Sequence, residues 1–137
     1  MESLNKTGYF DENIFLYYEE HDLYYRCLKL NLNIYLIDEA KYIHRGTSST
    51  NPSYNHKIYL NRNWHYCWSK FYYFKKNYGY FYGIKKTIPN FLRAFRKYLF
   101  YTLIRDKNNS LLHRAEIQGL IASYFLKESS RRPNINT

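Results

Sequence analysis

The aromatic and basic block at residues 54–101 limits the fold of this chain more than any other stretch. It holds 10 Tyr, 6 Phe and 2 Trp, threaded with Lys and Arg. Its large apolar side chains recur every three or four residues, the spacing of one helix face. They are Tyr54, Ile58, Trp64, Cys67, Trp68, Phe71 and Phe74, with Asn61 as the one polar exception. This pattern predicts one helix from about Tyr54 to Asn77, ending near Gly79.

Two more helices are predicted after this block. Pro89 suits a helix start because its fixed φ and missing N–H are tolerated in the first turn. We expect this helix to end near residues 106–109, and Ser110 is a candidate N-cap for a last helix. The apolar face of the first of these helices is Leu92, Phe95, Leu99 and Leu103, and that of the second is Ile117, Leu120, Ile121, Tyr124 and Phe125.

Charge divides the chain into two regions. Residues 1–53 carry 5 Lys/Arg and 8 Asp/Glu, a net charge of −3, whereas residues 54–137 carry 16 Lys/Arg and 3 Asp/Glu, a net charge of +13. This asymmetry predicts an acidic, site-bearing region at 1–53 and a basic aromatic helical subdomain at 54–128. The polar residues 129–137 are predicted to form a disordered tail.

The acidic cluster at residues 19–22 is the centre of the first region. Three carboxyl groups so close together cost free energy unless a cation, a partner or a helix N-terminus offsets them. Leu23, Cys27 and Leu30 follow at i, i+4 and i+7, which predicts a short helix after an acidic loop. Asn31 tolerates the left-handed conformation that ends helices. The cluster is therefore expected at the positive end of a helix dipole.

A small β element is predicted after that helix, near residues 33–44. The run at 33–37 is short and rich in β-branched and aromatic residues, and residues 38–44 lead to His44. A loop of small residues, Gly46 to Thr50, follows directly. The predicted fold class is therefore α+β and mostly α, with a small β element followed by about three helices.

Taken together, the motifs of residues 8–49 resemble the C-terminal part of family 2 glycosyltransferases. The resemblance is greatest to the rhamnosyltransferase-like members that build bacterial surface polysaccharides. It covers about a third of the chain and rests on many positions that agree in order and spacing. The matching residues are Gly8 to Glu12, Phe15-Leu16-Tyr17, Glu19 to Leu23, Arg26, Glu39-Ala40 and Ile43 to Ser49.

The resemblance implies an inverting transfer of a sugar, such as rhamnose, from a nucleotide-sugar to a polysaccharide or lipid-linked acceptor. Such a transfer needs a base that takes the proton of the acceptor hydroxyl. The family's catalytic Asp corresponds here to Glu20, which is longer by one methylene. Asp22 corresponds to the family's second Asp and is expected to support the helix start. On the residues alone, the same cluster is explained by simple helix capping.

Three further residues are candidates for binding donor or acceptor: Glu19, His44 and Ser48. In related enzymes a His at such a strand end approaches the donor diphosphate or its metal. A lone His is more often an ordinary hydrogen-bonded residue, and a Ser-rich loop is ordinary turn chemistry. One ligand does not make a metal site. We therefore expect no cofactor in this chain. The resemblance implies that a divalent metal, Mg²⁺ or Mn²⁺, would bind in the complete enzyme.

The donor-binding half of the resembling enzymes has no counterpart in this sequence. Alternating βα units and a D-x-D motif for a metal-bound diphosphate are both missing. Residues 1–7 match the end of the strand and turn that close that half in the family. The resemblance therefore implies a GT-A type C-terminal fragment, inactive alone, whose nucleotide-binding half is a candidate separate partner chain.

The basic aromatic half allows three interpretations. Its rings can simply pack together as a helical core. Basic amphipathic helices also suit an anionic membrane surface, and cations interleaved with aromatic rings suit single-stranded nucleic acid. We expect packing to explain most of the rings, the membrane surface to rank second and nucleic acid third. A non-catalytic basic module is thus the alternative to an enzyme.

Three observations on the sequence indicate the cellular compartment of the protein. Residues 1–6 lack the apolar core of a secretion signal, and no apolar run approaches the roughly 20 residues of a membrane-spanning helix. The two cysteines, Cys27 and Cys67, are explained best as small buried hydrophobes in a reducing compartment. The expected location is the cytoplasm, peripheral to the inner membrane face.

Overall fold

The structure is a computed structural model that describes residues 2–41, 43 and 55–129. The described residues form five helices. These are α1 (Glu2–Thr7), α2 (Glu19–Lys29), α3 (Asn55–Tyr78), α4 (Tyr80–Leu103) and α5 (Lys107–Tyr124). The chain is mostly α, as predicted from its sequence.

Helices α3, α4 and α5 pack against one another and hold the main core. Trp64, Cys67, Trp68 and Phe71 lie on one face of α3, at the spacing that predicted this helix, and all four are buried. Leu120 and Ala115 of α5 contact them. The predicted helix from 54 to 77 is thus confirmed to within a residue of each end.

Close approach of α5 to α3 depends on Gly119. A Cβ built at this position would lie 2.3 Å from the backbone carbonyl oxygen of Trp64, which is far inside van der Waals contact. Gly83 of α4 is similarly close to α3, because its Cβ would lie 2.9 Å from Cε2 of Phe71. The two glycines therefore allow α3 to be approached closely, by α5 at the Trp64 backbone and by α4 at the Phe71 ring.

The predicted starts of α4 and α5 were wrong. Helix α4 begins directly after Gly79, whose φ of 93° reverses the chain, so Pro89 lies inside the helix. A proline there leaves one carbonyl without its helical partner, and the packing of α4 on two neighbours outweighs that loss. Asp106, not Ser110, caps α5, since its side chain accepts a hydrogen bond from the N–H of Asn109 at 3.1 Å.

The predicted strand at residues 33–37 is not formed. Residues 32–37 are irregular, and within residues 2–41, 43 and 55–129 there is no strand with which they pair. A lone strand leaves its backbone groups to water and gains no packing. Tyr35 and Leu36 are accordingly 76% and 91% exposed. Residues 2–7, matched by resemblance to a strand and turn, form helix α1 instead.

Hydrogen bonds from side chains of α3 join the outer segments to this helix. Oγ of Ser69 donates to the carbonyl of Leu16 at 2.8 Å. Nε1 of Trp68 donates to the carbonyl of Lys127 at 2.9 Å. Nδ1 of His65 lies 3.0 Å from Oγ of Ser129, which is buried. Helix α3 is thus the element to which both the acidic region and the end of α5 are attached.

Candidate functional site

The acidic cluster forms the first turn of α2, not a loop before it. Glu19, Glu20 and Asp22 all lie at the helix N-terminus, where the dipole favours negative charge. The two residues before it, Tyr17 and Tyr18, have φ of 66° and 70°. Left-handed backbone costs a side-chain-bearing residue roughly 1–2 kcal/mol. The turn into the acidic helix is therefore strained and must be held by its surroundings.

Aromatic contacts hold that turn. The Tyr18 ring lies 5.4 Å from the ring of Tyr73 and 5.1 Å from that of His21. Nε of Arg62 donates a 2.7 Å hydrogen bond to the hydroxyl of Tyr17. Tyr25 adds a second bridge, since its ring contacts Tyr73 with centroids 6.3 Å apart. Several tyrosines of the chain thus serve to dock α2 on α3.

Asp22 is completely buried and surrounded by donors. Its Oδ2 lies 2.9 Å from Nε of Arg26 and 2.8 Å from Nζ of Lys76. Its Oδ1 accepts a hydrogen bond of 3.2 Å from the side-chain amide of Asn77. A buried carboxylate with two cations and an amide has its charge and its lone pairs satisfied. Asp22 therefore joins α2 to α3.

Asp11 shares Lys76 with Asp22. Its Oδ2 lies 2.9 Å from Nζ of Lys76 and accepts a 3.0 Å hydrogen bond from the Tyr72 hydroxyl. Burial on its own would raise the pKa of Asp11, but hydrogen bonds from Lys76, Asn13 and Tyr72 outweigh it and lower that pKa to about 2. Burial, with the nearby Asp11 charge second, raises the pKa of Tyr72 to about 12. Asp11 is thus an anion that holds the 8–18 segment on α3.

Arg26 closes the network on its other side. Its Nη1 donates to the carbonyls of Thr7 and Gly8, and its Nη2 donates to the carbonyl of Tyr9 at 2.6 Å. One guanidinium therefore satisfies three backbone acceptors and the Asp22 carboxylate. This use of a planar multiple donor is specific to arginine. Arg26 fixes the end of α1 against α2.

The remaining two carboxylates of the cluster are placed differently. Glu20 is exposed, two residues from Asp22 and so on another side of the helix. Glu19 is half-buried, and its Oε2 is buried without a hydrogen-bond partner in the described part of the chain. A buried unpaired carboxylate oxygen is unusual in a folded protein. Oε2 of Glu19 is thus a buried acceptor without a partner among the described residues, in the same helical turn as the exposed carboxylate of Glu20.

His44 and Ser48, the other two predicted binding residues, lie outside the described residues. Sequence reasoning did not assign a role to Lys76, Asn77 or Tyr72, which complete the network from α3. The i, i+4 spacing of Asp22 and Arg26 was the available signal for an ion pair. The α3 residues that contact Asp11 and Asp22 lie more than 50 residues away in sequence, so no local sequence pattern indicates these contacts.

A cavity of about 570 Å³ lies between the 8–18 segment and the chain after α5. This volume is in the range of small-molecule pockets. Its walls combine the rings of Phe15 and Tyr72 with the polar groups of Glu12, Asn13, Lys75 and Glu128. The cavity therefore has both acidic and basic side chains beside aromatic rings.

No cluster of potential metal ligands is formed by the side chains seen in residues 2–41, 43 and 55–129. These residues contain no group of three or more His, Cys, Asp or Glu that suits a metal ion. The Asp11 and Asp22 carboxylates both form ion pairs with Lys76. Arg26 and Lys76 therefore hold Asp22, the buried carboxylate of the acidic cluster.

The sequence and the structure were compared with known proteins. The chain matches no family model, no curated protein and no solved structure.

Proposed function

We propose that this chain supplies the acceptor side of an inverting family 2 glycosyltransferase, with Glu20 as the general base. The proposal starts from the motifs of residues 8–49. One observation carries it: Asp22 is fully bound inside the fold while Glu20, in the same helical turn, is exposed. The acidic turn thus keeps one carboxylate for folding and leaves another for a substrate.

The proposed chemistry is a single displacement. A carboxylate oxygen of Glu20 takes the proton of an acceptor hydroxyl. The hydroxyl oxygen of the acceptor then attacks the anomeric carbon of the donor sugar. The bond from the anomeric carbon to the nucleoside diphosphate breaks, and the diphosphate leaves with the electron pair.

The donor is bound elsewhere in this proposal. The described residues form helices and no strand, whereas a GT-A nucleotide site needs a sheet. The same residues contain no group of three or more His, Cys, Asp or Glu that could hold a metal ion. A nucleotide-binding partner region therefore completes the enzyme, and the GT-A identity of the whole belongs to this proposal.

The proposed location is the cytoplasmic face of a membrane, where lipid-linked acceptors are presented. Among the helices that the structure describes, none is both long and apolar enough to cross a bilayer. Association at the surface is therefore the form of membrane contact that we propose. A non-catalytic basic module on such a surface is the second candidate, and the features of α4 described below favour it.

A chimeric enzyme tests the catalytic proposal. Residues 8–49 replace the corresponding segment of an active family 2 glycosyltransferase, and sugar transfer is measured at saturating donor. We expect turnover, and we expect Glu20→Gln to lower kcat about 10²–10⁴-fold with donor affinity unchanged, as for loss of a positioned base. Glu20→Asp restores the family's residue and should be active.

Two results would contradict the assignment. If Glu20→Gln turns over at the rate of the parent chimera while a folded Asp22→Asn chimera is inactive, Asp22 carries the chemistry. If both variants retain full activity, the cluster is only a helix cap. Circular dichroism of each chimera separates loss of folding from loss of catalysis.

A further inference from the structure

Helix α4 exposes a continuous apolar stripe. Phe81 at its start is 87% exposed and Leu103 at its end is 82% exposed. The positions between them recur at intervals of three, four or seven residues, so the stripe stays within about 80° of the helix circumference. Its members are Phe81, Ile88, Leu92, Phe95, Leu99 and Leu103, all exposed. The 24-residue helix gives the stripe a length of about 35 Å at 1.5 Å per residue.

The apolar stripe lies opposite the side of α4 that packs on α3 and α5, so it is not part of the bundle core. The side of α4 that packs on α3 and α5 buries Gly83, Thr87 and Ala94, which are small. Two larger side chains, Ile84 and Phe91, also pack against the core and are partly buried. Helix α4 thus has apolar side chains on both its packed side and its exposed side, whereas an ordinary surface helix is polar on the exposed side. Contact with something outside the described fold explains this distribution.

Basic side chains border the stripe along one edge. Helix α4 contains five cations and no Asp or Glu. Within the described part of the chain, none of them forms an ion pair with a carboxylate, although Lys86 lies over the Tyr82 ring at 5.4 Å. The five are Lys85, Lys86, Arg93, Arg96 and Lys97, all exposed.

The apolar stripe and the cations beside it favour an anionic lipid surface over the other possible partners of α4. Apolar side chains beside unpaired cations match the boundary between acyl chains and anionic headgroups. A second copy of this chain fits poorly, because two such helices would bring ten cations together. Single-stranded nucleic acid would use the cations but would leave the aliphatic part of the stripe in water.

We propose that α4 docks the protein on an anionic lipid bilayer, lying in the plane of the surface with its apolar stripe among the acyl chains. The arginines and lysines beside the stripe contact lipid phosphates. The bundle of α3 and α5 remains on the aqueous side. This inference gives the membrane contact of the proposed function a definite surface, but it rests on α4 alone and does not require Glu20 to be catalytic.

Vesicle flotation of the full chain tests this proposal. The probes are phosphatidylcholine vesicles with and without 30 mol% phosphatidylglycerol, at low and at physiological salt. Binding should require the anionic lipid and weaken with salt. Leu92→Glu with Leu99→Glu should abolish it. Arg93→Gln with Arg96→Gln and Lys97→Gln should weaken it about 100-fold, at about fivefold for each cation.

Matched controls lie outside α4. Leu36→Glu removes a side chain that is 91% exposed, and Lys107→Gln removes a cation of α5. Both should bind like the parent chain, and circular dichroism should be unchanged in every variant because all the altered residues are exposed.

Three outcomes would overturn the proposal: equal binding to neutral vesicles, equal loss of binding in the controls, or sedimentation showing a lipid-free dimer that the Leu92→Glu, Leu99→Glu variant dissociates. A fourth contrary result would be tighter binding to single-stranded DNA than to anionic vesicles. Flotation involves no sugar transfer, so its result is independent of the chimeric assay for Glu20.

Discussion

Two carboxylates of one helical turn have separate tasks in this account. Glu20 and Asp22 are two residues apart, so the helix points them to different sides. Asp22 faces α3 and is fully buried among Arg26, Lys76 and Asn77, whereas Glu20 faces solvent. The order of acidic residues in a sequence does not show which of them is buried in a structural ion pair. Burial makes that distinction here.

Asp22→Asn should destabilise the protein strongly. The substitution keeps the shape but leaves Arg26 and Lys76 close together without their anion, and breaking a buried pair in this way costs about 3 kcal/mol. Glu20→Gln is the matched control, because it neutralises an exposed carboxylate in the same turn and should lower the free energy of unfolding by no more than about 1 kcal/mol, through the helix dipole. Urea unfolding of the isolated chain measures both. Equal stabilities would show that the Asp22 network does not hold α2.

Asp11 should make stability depend on acid pH. Its pKa is lowered to about 2 in the fold, against 3.8 when unperturbed. The unfolded chain therefore binds the proton first, so the contribution of Asp11 is complete above about pH 4 and is lost as pH falls towards 2. Asp11→Asn should be less stable than the parent at pH 6 and should flatten this part of the profile. Parallel slopes between pH 4 and pH 2 would contradict the assigned ion pair.

At the scale of elements, the spacing of α3 and α5 depends on one missing side chain. Alanine is intrinsically better than glycine in a helix by about 1 kcal/mol. Gly119→Ala should nevertheless destabilise the protein, since its Cβ would collide with the Trp64 carbonyl at 2.3 Å. Overpacking of this kind costs about 1–3 kcal/mol, and here the contact is with rigid backbone.

Gln118→Ala is the control for that prediction, because Gln118 is the exposed neighbour on α5. Thermal unfolding should show a large fall in Tm for Gly119→Ala and a small change for Gln118→Ala. A higher Tm for Gly119→Ala would mean that helix propensity dominates and that the helices can separate at little cost.

The helices were predictable because their signals are local. Trp64, Cys67, Trp68 and Phe71 follow the helical period, and the structure buries them all. Pro89 misled the prediction of α4, since a proline is more usual at a helix start than inside one. The run at 33–37 misled it too, because its residues favour strands but form none here. Strand formation depends on a partner strand, which a local pattern cannot supply.

The site was predictable only in part. The acidic turn, its place at a helix N-terminus and the stop at Asn31, whose φ is 53°, all follow from local sequence. Its partners on α3, above all Lys76, depend on which face of a distant helix meets α2. The exposed stripe of α4 was hidden for the same reason: its apolar face was predicted, but the direction in which it points is a property of the bundle.

At the scale of the whole molecule, the described structure combines an acidic turn, a helical bundle and a basic apolar surface. In our proposal the turn meets the acceptor, α4 meets the membrane, and the donor nucleotide belongs to another region. This division accounts for the absence of strands among the described residues and for the concentration of positive charge after residue 54. Its central claim is that this chain serves the acceptor and does not hold the donor.

Titration calorimetry of the full chain with UDP-, GDP- and dTDP-sugars, with and without Mg²⁺ or Mn²⁺, tests that claim most directly. The account predicts no saturable heat up to millimolar nucleotide-sugar, because in our proposal another region binds the nucleotide and its metal. Saturable binding with a micromolar Kd for any of these donors would contradict the account, since the chain would then contain the donor site that we assign to another region.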